Sequence, residues 1–469
     1  MIKITVNDEK LIDELTLVLR LFYSKEDMEN LDAKFFVEQN VNDMDITTKV
    51  SSNLTSETYE DTDVIKDYRF PERYKKRYAK LLLYKLLKSV FPDKKLPWGS
   101  LTGIRPTKLY YELIKENKSD YMKALSELIY KFGVSYEKAM LTKEIMKNQS
   151  FVIKNDNLVD LYINIPFCPS KCYYCSFISL PISKCSEQLE PYLNALIHEI
   201  EETKKLIERK NYIIQSIYIG GGTPTVLSAE QLERLLNVID YNADEFTVEC
   251  GRPDTITKEK LDVLKKHGVT RISINPQTFC NKTLKEIGRS HTADDILEAY
   301  KLALPYNFVI NMDMIAGLGH EKLTTFKKSL NKAIEFNPDN ITVHTLSIKR
   351  GSELNESKAD TSSDEEVAKM IEYSYKALTD AGYKPYYLYK QKNMIGNLEN
   401  IGYYVNKPSI FNIDSMEEFA SIIACGANAI SKRYYSLNNK IERFANLKNI
   451  PEYINRIDEM IAKKNELFK

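Results

Sequence analysis

The sequence predicts an α/β protein: a partial (β/α)6 barrel with a small N-terminal α+β/helical domain and a C-terminal α+β extension. Three observations predict it. Residues 158–346 alternate short Ile-, Val- and Tyr-rich runs with longer amphipathic stretches, and that order implies a parallel sheet with right-handed crossovers. There are six such units, which suits a partial barrel better than a closed one of eight. At 469 residues the chain exceeds one ordinary domain, so further domains are expected on either side.

Strands are expected at Leu161–Ile165, Ser216–Ile219, Phe246–Glu249, Arg271–Ile274, Val309–Met314 and Ile341–Thr345, where β-branched and aromatic residues cluster. Apolar residues recur at helical spacing in Glu187–Glu208, Ala229–Ile239, Lys258–Lys266, Ala293–Leu304 and Leu323–Phe336. Residues 1–70 form a small α+β domain, with strands at Ile2–Val6 and near Phe35–Val37, a helix at Leu11–Phe22 and a polar linker at Glu60–Asp67. Residues 71–150 form a helical segment. In it, Pro71–Val90 is basic on one face and Leu-rich on the other; the basic face is read as solvated. A turn-rich loop, Leu96–Lys108, holds the only Trp, and helices follow near Asp120–Phe132 and Tyr136–Asn148. Residues 151–350 form the barrel and 351–469 a region covering the substrate. The latter comprises a charged surface loop at Glu353–Asp364, a helix at Glu365–Ala381, a Tyr-rich strand at Lys384–Lys392 and an amphipathic helix from Pro451.

Composition narrows the function. Lys+Arg and Asp+Glu are equal at 66 each, which argues against bulk affinity for nucleic acid. No charged-then-apolar leader and no bilayer-length apolar run is present, so a cytoplasmic protein without a membrane span is expected. Seven cysteines in such a chain do not form a disulfide framework.

Three of those cysteines carry the chemistry. Cys168, Cys172 and Cys175 follow the first barrel strand at C-x3-C-x2-C spacing. Three thiolates on one tight loop can hold three irons of a [4Fe–4S] cube. The fourth iron stays open to a ligand such as S-adenosylmethionine. A structural zinc site wants four ligands, and the nearest candidates, Cys185 and His198, lie in or near the next helix; the cluster is the better reading.

The second strand ends in Gly220-Gly-Gly-Thr-Pro-Thr225. Such a run serves a tight turn or lets the backbone approach a ligand. One βα unit after the cysteines, it is expected to meet the amino acid end of S-adenosylmethionine. Glu249, Gln277 and Asp313 fall at later strand ends, and Arg289 and His291 follow in Ile287-Gly-Arg-Ser-His-Thr292. Singly these are ordinary rim residues; together they line the face where the cluster must sit. A buried Glu249 needs a cationic or hydrogen-bonding partner. Arg289 either clamps a carboxylate in bidentate fashion or caps a helix.

Taken together, these motifs resemble the radical S-adenosylmethionine enzymes, and in particular the oxygen-independent coproporphyrinogen III oxidase-like family. Tyr162-Ile-Asn-Ile-Pro-Phe-Cys168, the cysteine and glycine motifs, Arg271-Ile-Ser with Gln277, and Asp313 before Gly317-Leu-Gly carry that resemblance. Leu101–Lys108 and Pro385–Asn400 resemble its HemZ-type branch. The resemblance implies a radical-SAM barrel with Cys168, Cys172 and Cys175 as cluster ligands. It implies that Tyr162, Gly221, Gly222, Thr223, Glu249, Gln277, Arg289 and Asp313 bind S-adenosylmethionine, and that Tyr174 stacks near the adenine or the cluster. Tyr174 and Arg289 would be the catalytic side chains. The chain departs from the oxidase prototype at Phe177, where a further Cys is usual, and at Asn428, where Gly or Pro is usual.

The implied activity is oxidative decarboxylation. An electron from ferredoxin or flavodoxin reduces the cluster, and cleavage of S-adenosylmethionine yields a 5′-deoxyadenosyl radical. The radical takes hydrogen from the β-carbon of a propionate, and loss of an electron and carbon dioxide leaves a vinyl group. Two propionates of coproporphyrinogen III are processed, giving protoporphyrinogen IX. Arg289, Arg252 and Arg350 are candidates for holding this tetracarboxylate. Two other readings stay open: a haem-binding chaperone-like protein, and radical methylation or ring opening of haem.

Overall fold

The computed structural model describes residues 2–103, 105–153, 155–177, 179–347, 362–390, 394–437 and 440–469. It comprises two compact units, Met1–Glu144 and Ile145–Lys469. In the first, Lys3–Val6 (β1), Lys34–Asn42 (β2), Asp45–Ser52 (β3) and Thr58–Val64 (β4) pair in that order. β1 is parallel to β2, and the rest is an antiparallel meander. Strand alternation turns Phe35, Val37 and Val50 inward, where Leu15 and Leu19 of helix Ile12–Phe22 and Leu83 and Leu87 of helix Pro71–Val90 join them in one core.

Two expectations change here. The stretch Glu60–Asp67, expected as a linker, begins inside β4. That edge strand has no fully buried position, so it shows no apolar alternation. Residues 1–70 and 71–150, expected as separate segments, share a core because the Leu-rich face of Pro71–Val90 packs on the sheet.

In the second unit the strands are Leu158–Ile165 (β5), Phe167–Cys168 (β6), Leu180–Pro181 (β7), Ile213–Gly221 (β8), Glu245–Glu249 (β9), Arg271–Ser273 (β10), Val309–Ala316 (β11), Asn340–Thr345 (β12), Lys384–Tyr389 (β13), Asn400–Tyr404 (β14), Ser421–Cys425 (β15), Ile430–Tyr435 (β16) and Lys440–Ala445 (β17). The six expected barrel strands are β5 and β8 to β12, each parallel to the next. Their buried residues include Ile163, Ile219, Val248, Ile272, Met312 and Val343, as expected of a parallel sheet covered by helices. The intervening helices, among them Ser186–Lys210, Lys258–Lys266 and Leu323–Glu335, fall where the apolar spacing put them.

The C-terminal region, expected to cover the substrate, extends the sheet at both edges. β15 adds a seventh parallel strand beside β5, the β16–β17 hairpin continues that edge, and the β13–β14 hairpin extends the other edge from β12. The sheet is therefore open, with β13 and β17 at its ends. Arg350, most of the loop Glu353–Asp364, and residues 391 and 392 of the expected strand Lys384–Lys392 lie outside the described residues. Among the described residues no helix is long and apolar enough to cross a membrane.

Candidate active site

The cysteine loop leaves the C-terminal end of β5 and is closed at its base by the short parallel pair β6–β7. The segment after helix Asn281–Glu286 holds it from one side. The Tyr173 N–H donates to the Ile287 carbonyl at 3.0 Å, and Ser170 Oγ donates to the Gly288 carbonyl at 3.0 Å. Gly288 has φ 77, and a Cβ there would lie 3.1 Å from the Lys171 carbonyl oxygen, so glycine lets the two segments meet. Arg252 braces the loop as well. Its Nη1 donates to Ser170 Oγ at 3.0 Å, while its fork pairs with Asp254 at 3.0 Å. His291 lies buried against Asp254, with Nδ1 3.5 Å from the carboxylate.

All three cysteines line one cavity of about 340 Å³. Gly221, Gly222 and Thr223 line it from the end of β8, and Glu249 from β9. Gln277, Arg289, Asp313 and Tyr174 complete the set that the motifs singled out. Tyr162 is not among the lining residues: it stacks on Tyr218 and Phe411 at centroid distances of 6.2 and 6.0 Å, one layer behind. Among the described residues no three His, Cys, Asp or Glu side chains converge as a single metal ion would need. The cysteines are arrayed along a cavity wall instead.

The glycine run makes a tight turn against neighbouring backbone. Gly221 has φ 103, and a Cβ would fall 1.9 Å from Asn164 Oδ1; on Gly222 it would fall 2.3 Å from the Phe167 carbonyl oxygen. The turn is thus packed tightly against β5 while its other side faces the cavity. Asn164 is itself anchored, its Nδ2 donating to the Ala427 carbonyl at 2.6 Å and its Oδ1 accepting from Tyr162 at 3.0 Å. Asn428 has φ 61, the left-handed region that Asn tolerates and Gly favours, so this departure fits the local backbone.

The electrostatics favour a charged guest. Burial pushes the Glu249 carboxyl up to about 7; the hydrogen bond from Tyr218 opposes this and the Asp313 charge adds to it. Asp313 is also buried, but His344, with Nε2 at 3.7 Å, and Asn311, donating at 2.8 Å, hold it below the usual carboxylate range. Burial raises the Cys168 thiol and pushes Cys175 up to about 11. Such thiols ionise when they bind a metal. Thr223 Oγ1 donates to Cys168 Sγ at 3.5 Å. Gln277 Oε1, Ser273 Oγ and Arg289 Nε are buried at the cavity without a hydrogen-bond partner in the protein. Three thiols on one cavity wall, a buried carboxyl and three unmet polar atoms fit an iron–sulfur cluster with an amino acid ligand beside it.

Arg252 and Arg289, expected as carriers of substrate carboxylates, are committed within the protein. Arg289 Nη1 donates to the Asn275 and Gly251 carbonyls at 2.6 and 3.3 Å, and Nη2 to the Tyr174 hydroxyl at 3.4 Å. Buried guanidinium groups take such partners first because an unmet charge costs more than a missed ligand contact. Sequence reasoning missed Tyr218, Ser273, Asn311, Thr342 and His344, all of which line the cavity. A signal was present: Asn311/Asp313 and Thr342/His344 are polar pairs two residues apart on adjacent strands in register, so strand alternation puts both pairs on one face.

Loop cysteines, a glycine-rich strand end and a buried carboxylate at the C-terminal ends of parallel strands define a radical S-adenosylmethionine protein. The sequence model of the radical SAM superfamily matches residues 162–333. The oxygen-independent coproporphyrinogen-III oxidase-like protein HemZ of Bacillus subtilis is 40% identical over 390 residues, covering 79% of this chain and 78% of that protein. The haem chaperone HemW of the same organism is 36% identical over 195 residues, 40% of this chain and 50% of its own. The solved structure of Escherichia coli coproporphyrinogen III oxidase, HemN, shares the fold, with a TM-score of 0.53 at 20% identity over 70% of this chain and 74% of that one. The chain belongs to the oxygen-independent coproporphyrinogen III oxidase-like family, in its HemZ-type branch. Its cofactors are a [4Fe–4S] cluster and S-adenosylmethionine.

Proposed function

We propose that this enzyme oxidatively decarboxylates propionate side chains of coproporphyrinogen III to vinyl groups. One observation carries the reading. The cavity that holds the cysteines continues to Tyr387, Tyr389 and Asn400 of β13 and β14, which offers flat aromatic surface and hydrogen-bonding groups beside the cofactor residues. The 40% identity to a coproporphyrinogen-III oxidase-like protein supports it.

When bound, the cluster and S-adenosylmethionine supply a hydrogen-abstracting radical. The protein's part is positional. Cys168, Cys172 and Cys175 would hold the cluster, and the Gly221–Gly222 turn would stand beside the amino acid portion of S-adenosylmethionine. Glu249 would accept from its amino group, and Gln277 and Ser273 would take remaining polar contacts. Arg289 fixes the Tyr174 ring through its hydroxyl. Each propionate loses one hydrogen atom, one electron and carbon dioxide, and that electron equals the one that cleavage of S-adenosylmethionine consumes.

A haem-binding reading is favoured by one observation, the commitment of Arg252 and Arg289 to protein partners. An anaerobic assay with dithionite, S-adenosylmethionine and coproporphyrinogen III separates the two. Protoporphyrinogen formed in step with 5′-deoxyadenosine is expected. Stoichiometric haem binding with no decarboxylated product would replace the oxidase by a chaperone.

A further inference from the structure

Strands β12, β14 and β13 lie side by side at one edge of the large sheet, and their register puts Thr342, Gly402 and Tyr387 in one row across them. The Tyr387 ring lies along that row. A Cβ on Gly402 would fall 1.8 Å from Tyr387 Cε1, so glycine on the middle strand is what lets the ring cross it. The ring thereby carries its hydroxyl two strands over, to within 3.3 Å of Thr342 Oγ1. At the next position on the same face of β13, the Tyr389 ring runs parallel to it, with centroids 6.2 Å apart and an interplanar angle of 7°. The Tyr389 hydroxyl meets His344 Nδ1 at 3.3 Å. All four side chains line the cavity that holds the cysteines.

The protons in this cluster point one way, toward the Asp313 carboxylate. Asn311 Nδ2 donates to Asp313 Oδ1 at 2.8 Å, which leaves Asn311 Oδ1 to accept from Thr342 Oγ1 at 3.2 Å. A threonine hydroxyl has one proton, and Thr342 commits it to Asn311. Toward Tyr387 it can therefore only accept, so the bond between them runs from the Tyr387 O–H to Thr342 Oγ1. Burial, with the Asp313 charge among the lesser causes, raises the Tyr387 phenol well above its ordinary value, so the ring oxygen keeps that proton. With its proton given to Thr342, the Tyr387 oxygen has only lone pairs to offer a guest. On the other side of Asp313, His344 Nε2 lies 3.7 Å from Oδ2. A proton held on that nitrogen leaves Nδ1 to accept from the Tyr389 hydroxyl.

We infer that Thr342 fixes the Tyr387 oxygen as a hydrogen-bond acceptor, and that this oxygen selects a tetrapyrrole whose pyrrole N–H groups can turn toward it. The inference rests on the oxidase reading for the identity of the guest. In a porphyrinogen, saturated bridges let each pyrrole tilt and point its N–H out of the macrocycle. In the oxidised porphyrin, conjugation holds the N–H groups in the plane, facing the centre, and in haem the iron has replaced them. A buried acceptor discriminates against guests that cannot donate to it, because its lone pairs are then desolvated without a partner. Tyr387 is thus a specificity-determining residue for the reduced macrocycle, and Thr342 and Gly402 position it.

The test is anaerobic equilibrium dialysis of the full-length, cluster-reconstituted protein without reductant. Coproporphyrinogen III and coproporphyrin III serve as paired probes that share one set of propionates. The parent should bind the porphyrinogen more tightly. Tyr387→Phe should weaken porphyrinogen binding about tenfold, the scale of one hydrogen bond, and leave coproporphyrin binding as it was. Thr342→Val should follow Tyr387→Phe, while Thr342→Ser, which keeps the hydroxyl, should match the parent. Equal weakening of both probes in Tyr387→Phe would reduce the ring to packing and overturn the assignment. Porphyrinogen binding indifferent to that substitution, or a parent that prefers coproporphyrin or haem, would overturn it too. The oxidase reading fails separately: a parent that shows the Tyr387-dependent preference but forms no decarboxylated product with dithionite and S-adenosylmethionine keeps the assignment and removes the oxidase.

Discussion

Replacing Gly221 by alanine tests whether the glycine run is shaped by the protein's own packing as well as by its ligand. At φ 103 the new Cβ would sit 1.9 Å from Asn164 Oδ1, so Asn164 must move. Moving it forfeits the bonds to the Ala427 carbonyl and the Tyr162 hydroxyl, about 0.5–1.5 kcal/mol each. The left-handed backbone adds about 1–2 kcal/mol, for a total near 3 kcal/mol. The assay is urea unfolding followed by far-UV circular dichroism. The fluorescence of the only Trp, Trp98, which lies in the other unit, serves as the internal reference. The dichroism transition should move to lower urea while the Trp98 transition stays. Asn164→Ala forfeits the same two bonds, so the double variant should cost about 2 kcal/mol less than the sum of the singles. Strictly additive costs, or a Gly221→Ala cost below about 1 kcal/mol, would refute the reasoning, since both deny that Asn164 is the obstacle.

Cys172→Ala removes one of the three cavity thiols; iron content and S-adenosylmethionine cleavage should both collapse, and retention of both would end the cluster assignment. Glu249→Gln keeps the shape and deletes the charge; equilibrium dialysis should show S-adenosylmethionine binding weakened about 10-fold or more, with cluster absorbance unchanged. Asp160 is fully buried, and burial pushes its carboxyl up to about 7, the Ser216 bond opposing and the Glu245 charge adding. The folded state therefore binds this proton more tightly than the unfolded state, and the group removes stability as pH rises from about 4 to about 7, by at most about 4 kcal/mol. Asp160→Asn should accordingly raise Tm relative to the parent more at pH 8 than at pH 4.5; an equal difference at both values would contradict the shift.

Much of the barrel could be read from the sequence because both of its periodicities are local. Helix Lys258–Lys266 and strand β9 repeat their apolar residues within a few positions, and each lies within a residue of where that spacing put it. β4 could not be read, because an edge strand with no fully buried residue carries no such pattern. β15 could not be placed either: nothing local in Ser421–Cys425 says that it pairs with Leu158–Ile165, far away in sequence.

The site divides in the same way. Sequence by itself determined the chemistry, since the cysteine spacing, the glycine run and the strand-end polar residues are local motifs whose donor atoms dictate what they bind. Only the tertiary structure decided how each side chain is employed. It placed Tyr162 behind Tyr218, used Arg252 and Arg289 to brace protein carbonyls and the cysteine loop, and brought Thr342 and His344 to the cavity beside Asp313. Which partner a buried charge takes depends on the groups that distant segments bring within hydrogen-bonding distance, and no sequence spacing encodes that distance.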